Sequence, residues 1–329
     1  MINMKKTFLS YTNFRSKKTF LILILFVTNV ITFGWAYFLV QKLNVENFRA
    51  QYPLLDPMRF FAEPRDLLTT VQLVREDLRD LFEKEDLKFT SLYFEYINTG
   101  ANISLNSDIR ILPASLIKVP LAMAVMKKIE RGDWELYNEL IMTKEDRDAG
   151  WGDVYMKYPM GSPISIQNLI EEMLLTSDNT AYRILYRNLS LDEVRDVFIS
   201  LGLDDFFDQE WKITAKEYTR LIRSLYTANY LTPEHSQFIL DILSRTEYDD
   251  YLWQGIPDTA LFVHKIWENE SKTVILDAGL VYIGNRVYLI SMAMDYEQEW
   301  FTREKALDIF KQVSTLVYNY ISTANNETL

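Results

Sequence analysis

The chain has 329 residues, 48% hydrophobic and 14% aromatic, enough apolar material for a substantial core and too much for a disordered segment. It has no cysteine and only two histidines, His235 and His264, which excludes disulfides, thiolate metal sites and a multi-histidine zinc site, so no metal or other cofactor is expected. Six basic residues and no acid fall within 1–43; taking them from the 35 basic residues leaves 29 against 46 acidic, a net of −17 on the body and the wrong sign for a nucleic-acid partner.

Residues 1–19 form a basic tail, and Phe20 to Val40 follows as 21 residues without a charge. At about 1.5 Å per residue, a helix of that length spans roughly 31 Å, the thickness of a bilayer's hydrocarbon core. The exit reads Phe-Leu-Val-Gln-Lys-Leu with no small-residue cleavage site, so 20–40 is expected as a transmembrane helix rather than a removed signal. Basic residues crowd its N-terminal side, which places the N-terminus in the cytoplasm and the body outside as a single-pass membrane protein. Residues 41–66, with Pro53, Pro57 and Pro64 and no clean period, read as a tether; 67–325 is the folded body and 326–329 a tail.

The spacing of Leu67, Val71, Val74, Leu78 and Leu81 predicts an amphipathic helix over 66–85. Strand-like Phe89 to Ile97, the turn Asn98-Thr99-Gly100 and a second strand ending near Ile111 make a hairpin that feeds into Ser115. Pro120 belongs in a first helical turn, so Ser115 is expected at the N-terminus of a helix that continues through Leu121 to Glu130 and stops at Gly132. A loop-rich stretch, 146–163, precedes Ser165, the cap of a helix with Ile166, Leu169, Ile170, Met173 and Leu174 on one face that delivers Ser177-Asp178-Asn179. Further helices are predicted from Leu191 to Leu201, from Thr214 to Tyr226 behind a Thr214/Glu217 capping box, and after Thr232-Pro233. The tail changes period: Leu261 to Trp267, Val274 to Ile283 and Val287 to Met294 read as strands, the last two joined by Gly284-Asn285, and Phe301 to Ile321 as a closing helix. That order implies an α+β fold, a five-stranded antiparallel sheet flanked by the terminal helices plus an all-helical lobe, with a cleft between.

Ser115 and Lys118 stand at i and i+3, where a helix brings an amine over a hydroxyl and lets it take the proton. Ser115-Leu116-Ile117-Lys118, then Ser177-Asp178-Asn179 some sixty residues on, then Lys265 on a strand after His264, resembles the three-motif signature of class A β-lactamases and penicillin-recognising serine enzymes. The connecting text resembles that family too, over about 67–325. The resemblance implies that Ser115 is acylated, that Lys118 is its base, and that Ser177 passes a proton to the leaving nitrogen. It further implies that Asn179 holds the substrate amide, that Lys265 offers positive potential to a substrate carboxylate, and that the backbone N–H groups of Ser115 and Glu268 bind the oxyanion. Lys265 is also expected to depress the pKa of Lys118.

Two departures stand out. The third motif reads Lys265-Ile266-Trp267 where the family has a small or hydroxylated residue and then Gly, and no Glu-x-x-x-Asn loop follows Asn179, since Glu193 and Glu210 both lack the Asn. Strand alternation predicts Trp267 on the face of Lys265, with Ile266 and Glu268 opposite. His235 is expected to be solvated and His264 a satisfied strand residue; Tyr248, Tyr251 and Trp253 belong to the core or to a cleft rim. The expected function is a membrane-anchored extracytoplasmic serine hydrolase forming an acyl-enzyme with β-lactam or peptidoglycan-like peptide substrates and deacylating poorly. The alternative is a catalytically impaired binding or scaffolding protein of the same fold.

Overall fold

The computed structural model describes residues 3–55, 71–269, 274–295 and 301–323. It divides into two units, 1–53 and 54–329.

The first unit is one helix, α1 (Asn3–Gln51). Its stretch from Ile22 to Gln51 is long and apolar enough to cross a membrane, as a single-pass anchor or a signal sequence would be. Three polar side chains in that stretch are satisfied within the helix, as a bilayer would require: Asn29 and Thr28 donate to the Leu25 carbonyl and Thr32 to that of Thr28. The helix runs into the stretch expected as a tether because 41–51 holds neither Pro nor Gly and gains a Lys42–Glu46 pair at i,i+4; residues 56–66 lie outside the described ones.

In the second unit, α2 (Gln72–Lys84) leads to β1 (Thr90–Tyr96) and β2 (Ala101–Leu105). The expected second strand breaks in two. Asn106 adopts φ 48° and its side-chain amide donates to the carbonyls of Leu87 and Thr90, turning the chain so that β3 (Arg110–Ile111) leaves the hairpin. A 3₁₀ turn, Ala114–Ile117, runs into α3 (Lys118–Glu130). Then come β4 (Glu139–Ile141), α4 (Val154–Lys157), β5 (Pro163–Ser165), α5 (Ile166–Leu175), α6 (Asn179–Arg187) and α7 (Leu191–Ser200). The sequence reading had missed α6. Next, β6 (Ile213–Thr214) pairs with β3, and α8 (Ala215–Tyr226) and α9 (Pro233–Leu243) follow. Strands β7 (Leu261–Glu268), β8 (Val274–Ile283) and β9 (Arg286–Asp295) and helix α10 (Arg303–Thr323) complete the unit.

Caps fall where the residues called for them. The Thr214 and Glu217 side chains each accept the other's backbone N–H, and Thr232 accepts from His235 with Pro233 in the first turn. The two-residue turn at Gly284, φ +57°, sets Ile283 opposite Arg286 and with it the β8–β9 register. The five-stranded antiparallel sheet runs β2-β1-β9-β8-β7, which leaves β7 on an edge. One face packs α2 and α10 through Val74, Leu78, Phe94, Tyr288, Ile290, Phe310 and Val313; α8 lies against strands β1, β8 and β9. In the helical lobe every residue of α3 from Lys118 to Met126 is buried, so this helix lies in the lobe's interior rather than on its surface.

Phe310 is fully buried at the centre of the α10 contact. Phe310→Ala is expected to destabilise by about 3–5 kcal/mol, seen as a lower urea midpoint with an unchanged slope.

Candidate active site

Ser115 sits in the 3₁₀ turn that opens α3, directly after Ala114, whose φ of 40° lies in the left-handed region. The buried Tyr218 hydroxyl donates to the Leu116 carbonyl at 3.1 Å and pins the turn from α8. One helical turn on, Lys118 is 2% exposed. Its Nζ lies 3.2 Å from Ser115 Oγ, 3.0 Å from Ser177 Oγ, 2.5 Å from the Ser177 carbonyl and 2.9 Å from Asn179 Oδ1. An ammonium has three hydrogens for these four oxygens; a neutral amine has two and a lone pair that a serine hydroxyl can fill. The structure thus gathers Ser115, Lys118, Ser177 and Asn179 around one nitrogen.

The Ser177 turn is held by its neighbour. Ser177 itself is left-handed, φ 58°, and Asp178, fully buried, caps α6 by accepting the Ala181 N–H at 2.7 Å while also accepting the Val154 N–H at 2.8 Å. Burial raises the Asp178 carboxyl. Gly152, φ +81°, is obligatory beside it, because a Cβ there would fall 2.0 Å from Asp178 Oδ2. The Asn179 N–H donates to the Trp151 carbonyl and its side-chain amide reaches Asp148 Oδ1 at 3.4 Å. Burial pushes Asp148 up, but the Gly150 N–H, Asn179 and Arg183 together hold it below the usual carboxylate range.

Electrostatics sorts the two lysines. Burial pushes the Lys118 amine down to about 8, against the pull of Asp178 and Asp148, which raise it. Lys265 is 1% exposed, donates to the Leu174 carbonyl at 2.9 Å, and is driven further down by burial and then by the charge on Lys118. The expectation that Lys265 depresses Lys118 is not met: desolvation is what lowers Lys118, and the charge on Lys118 adds to the lowering of Lys265.

A pocket of about 150 Å³ opens at Ser115 and Ser177, walled by Trp151, Tyr248, Tyr251, Ile266, Trp267 and Glu268 and edged by Asp250 and Arg303. Its volume is small for a ligand site, and two indoles narrow it. Alternation along β7 falls as anticipated: Ile266 joins the core against α10, and Trp267, partly exposed, lines the pocket. Asn269 N–H bonds to the Val274 carbonyl, so by ladder alternation the Glu268 N–H turns away from β8 toward the open edge. The Glu268 carboxylate is paired with Arg303. The pocket's Trp151, Asp250 and Arg303 had no signal in the sequence beyond the glycines flanking Trp151. Tyr248 takes the rim, Tyr251 belongs to the core against Phe310 with its hydroxyl at the pocket wall, and Trp253 packs behind the sheet on Phe262 and His264.

The remaining candidates lie elsewhere. Glu193 caps α7 and pairs with Lys128 at 2.6 Å, and Glu210 is exposed and pairs with Lys212; neither lines the pocket. His235, expected in solvent, is instead partly buried with Nδ1 3.1 Å from Glu130 Oε1. His264 is satisfied on one side only: Nδ1 meets Asp277 Oδ1 at 2.7 Å, and buried Nε2 has no partner among the described residues. Among those residues no group of three or more His, Cys, Asp or Glu is arranged to hold a metal ion.

Comparisons with known proteins bear on the family and the fold. The chain is 21% identical over 251 residues to "Beta-lactamase VEB-1" of Pseudomonas aeruginosa, covering 68% of this chain and 82% of that protein. The solved structure of PBP-A superposes with a TM-score of 0.69 at 22% identity, over 78% of this chain and 98% of PBP-A. A PBP-A mutant solved as an acyl-enzyme complex with penicillin G gives 0.67 at 22% identity with the same coverage, 78% and 98%. The model of the Beta-lactamase enzyme family matches residues 73–321, a range that spans Ser115 to Lys265, and the chain belongs to that family.

Proposed function

We propose that this protein is an extracytoplasmic, membrane-anchored serine acyltransferase-type hydrolase whose Ser115 forms an acyl-enzyme with β-lactams or cell-wall-type peptide amides and releases it slowly. The observation that carries this reading is the single amine of Lys118 in contact with Ser115, Ser177 and Asn179. The apolar helix α1, with basic residues before it, supports the anchor and the outward body. The acyl-enzyme of a PBP-A mutant with penicillin G supports β-lactams as substrates.

In the proposed cycle neutral Lys118 takes the Ser115 proton, the freed oxygen attacks the amide carbonyl, and the developing oxyanion meets the backbone N–H groups of Ser115 and Glu268. Ser177, sharing the Lys118 amine, returns the proton to the leaving nitrogen as the C–N bond breaks. Asn179 orients the substrate amide. Lys265, buried and bonded to the Leu174 carbonyl, lies behind the pocket wall rather than among the residues that could touch a substrate carboxylate. Slow release is inferred because neither Glu193 nor Glu210 lines the pocket and the two carboxylates that do, Glu268 and Asp250, are both paired with Arg303. A second reading, a cleft-bearing binding protein without turnover, draws its support from Trp267, whose indole occupies space in the pocket.

Mass spectrometry after exposure to a penicillin should find a persistent adduct on the Ser115 peptide that Ser115→Ala and Lys118→Ala each abolish; an adduct surviving Ser115→Ala rejects the assignment. The lysine must be neutral to act as base, so the acylation rate should rise about tenfold per pH unit below about 8 and level off above it; a flat profile between pH 6 and 9 rejects Lys118 as the base. Trp267→Gly should speed acylation severalfold and cost less than the 3–5 kcal/mol typical of a fully buried aromatic. Unchanged acylation with a large fall in melting temperature would assign Trp267 to the core.

A further inference from the structure

Arg303 opens α10, where a cation meets the positive end of the helix dipole, a placement that costs stability unless a carboxylate answers it. Glu268 answers it. Arg303 Nε donates to Glu268 Oε1 at 2.7 Å, and Nη2 lies 3.4 Å from both Asp250 Oδ2 and the Tyr251 hydroxyl, so three groups hold the guanidinium in one orientation. Glu268 is 7% exposed, and a carboxylate that well buried requires such a partner.

Glu268 is also the last residue of β7, an edge strand with no neighbour beyond it in the sheet. On the β8 side the strand end is fixed by two bonds between Asn269 and Val274, at 3.1 and 2.9 Å. On the other side the Arg303 pair ties it to α10. The residue clamped between these anchors is the one whose N–H faces the open edge in the pocket that Ser115 lines.

We propose that Arg303 is a positioning residue for the oxyanion site: by holding the Glu268 side chain it fixes the backbone N–H of Glu268 relative to Ser115. This rests on the acyl-enzyme reading above. An edge strand freed at its end can shift by about 1 Å, a displacement that can cost of order 10² in rate at a reacting centre. The substrate's ground-state binding, spread over the pocket's other walls, is affected far less.

The test uses the full chain in detergent and a fluorescent penicillin, with rapid-mixing kinetics to separate the binding constant from the first-order acylation step. Arg303→Gln should slow acylation about 10- to 100-fold with the binding constant changed less than about threefold. Affinity for phenylboronic acid, which mimics the tetrahedral oxyanion on serine, should fall in parallel. Arg303→Lys, which keeps the charge without the planar fork, should lie between. Glu268→Gln, which retains an acceptor for Arg303 Nε, should be milder than Arg303→Gln, and it carries the same two readouts if Arg303→Gln does not fold. A folded Arg303→Gln protein with unchanged acylation and boronate affinity overturns the proposal, as does a loss confined to the binding constant. A wild-type chain that no penicillin acylates rejects the acyl-enzyme reading itself, and the positioning role with it.

Discussion

The burial of Lys118 is the constraint around which the second unit is arranged. A lysine at 2% exposure is expensive unless its nitrogen is saturated with polar partners, and here the partners are the groups that would do chemistry: two serine hydroxyls, a carbonyl and an amide oxygen. Supplying them requires a left-handed Ser177, and that conformation requires something to hold it. Asp178 does so, binding the start of α6 and the Val154 N–H at once. Gly152 is then forced by the space Asp178 occupies. Local strain at Ala114 and Ser177 is thus maintained by the packing around α3 rather than by either turn alone.

The same burial orders the charges. Two lysines pressed into one low-dielectric region are both driven down by burial, and Lys265 is lowered also by the charge on Lys118. Charge at the pocket mouth comes instead from Arg303, which cannot lose its proton, set against the carboxylates of Glu268 and Asp250. The wall of the pocket is largely aromatic, from Trp151, Trp267, Tyr248 and Tyr251. The indole of Trp267 narrows the pocket, and Glu193 and Glu210 lie outside its lining.

Much of the architecture was legible because its signals are local. The capping pairs Thr214/Glu217 and Thr232/Pro233, the two-residue turn at Gly284-Asn285 and the period of Val274 to Ile283 are each complete within a few residues, and each recurs in the structure. Errors arose where a side chain reached across the chain. Asn106 bonds back to Leu87 and Thr90 and divides the second strand; Asp178 bonds forward to Ala181 and turns what looked like a helix exit into the cap of α6; His235 finds Glu130 on another helix instead of solvent.

By itself the sequence determined a membrane-length apolar helix, an α+β body, the order of Ser115, Lys118, Ser177, Asn179 and Lys265, and the alternation that puts Trp267 on the face of Lys265, since each follows from residue type and short-range spacing. Only the tertiary structure decided that one amine touches both serines, with Lys118 and Ser177 59 positions apart, and that Arg303 holds Glu268 at a separation of 35. It alone also decided that burial, and not Lys265, lowers the Lys118 amine. The physical reason is common to all three: hydrogen-bond partners and desolvation belong to the place where distant segments meet, and no local period encodes that place.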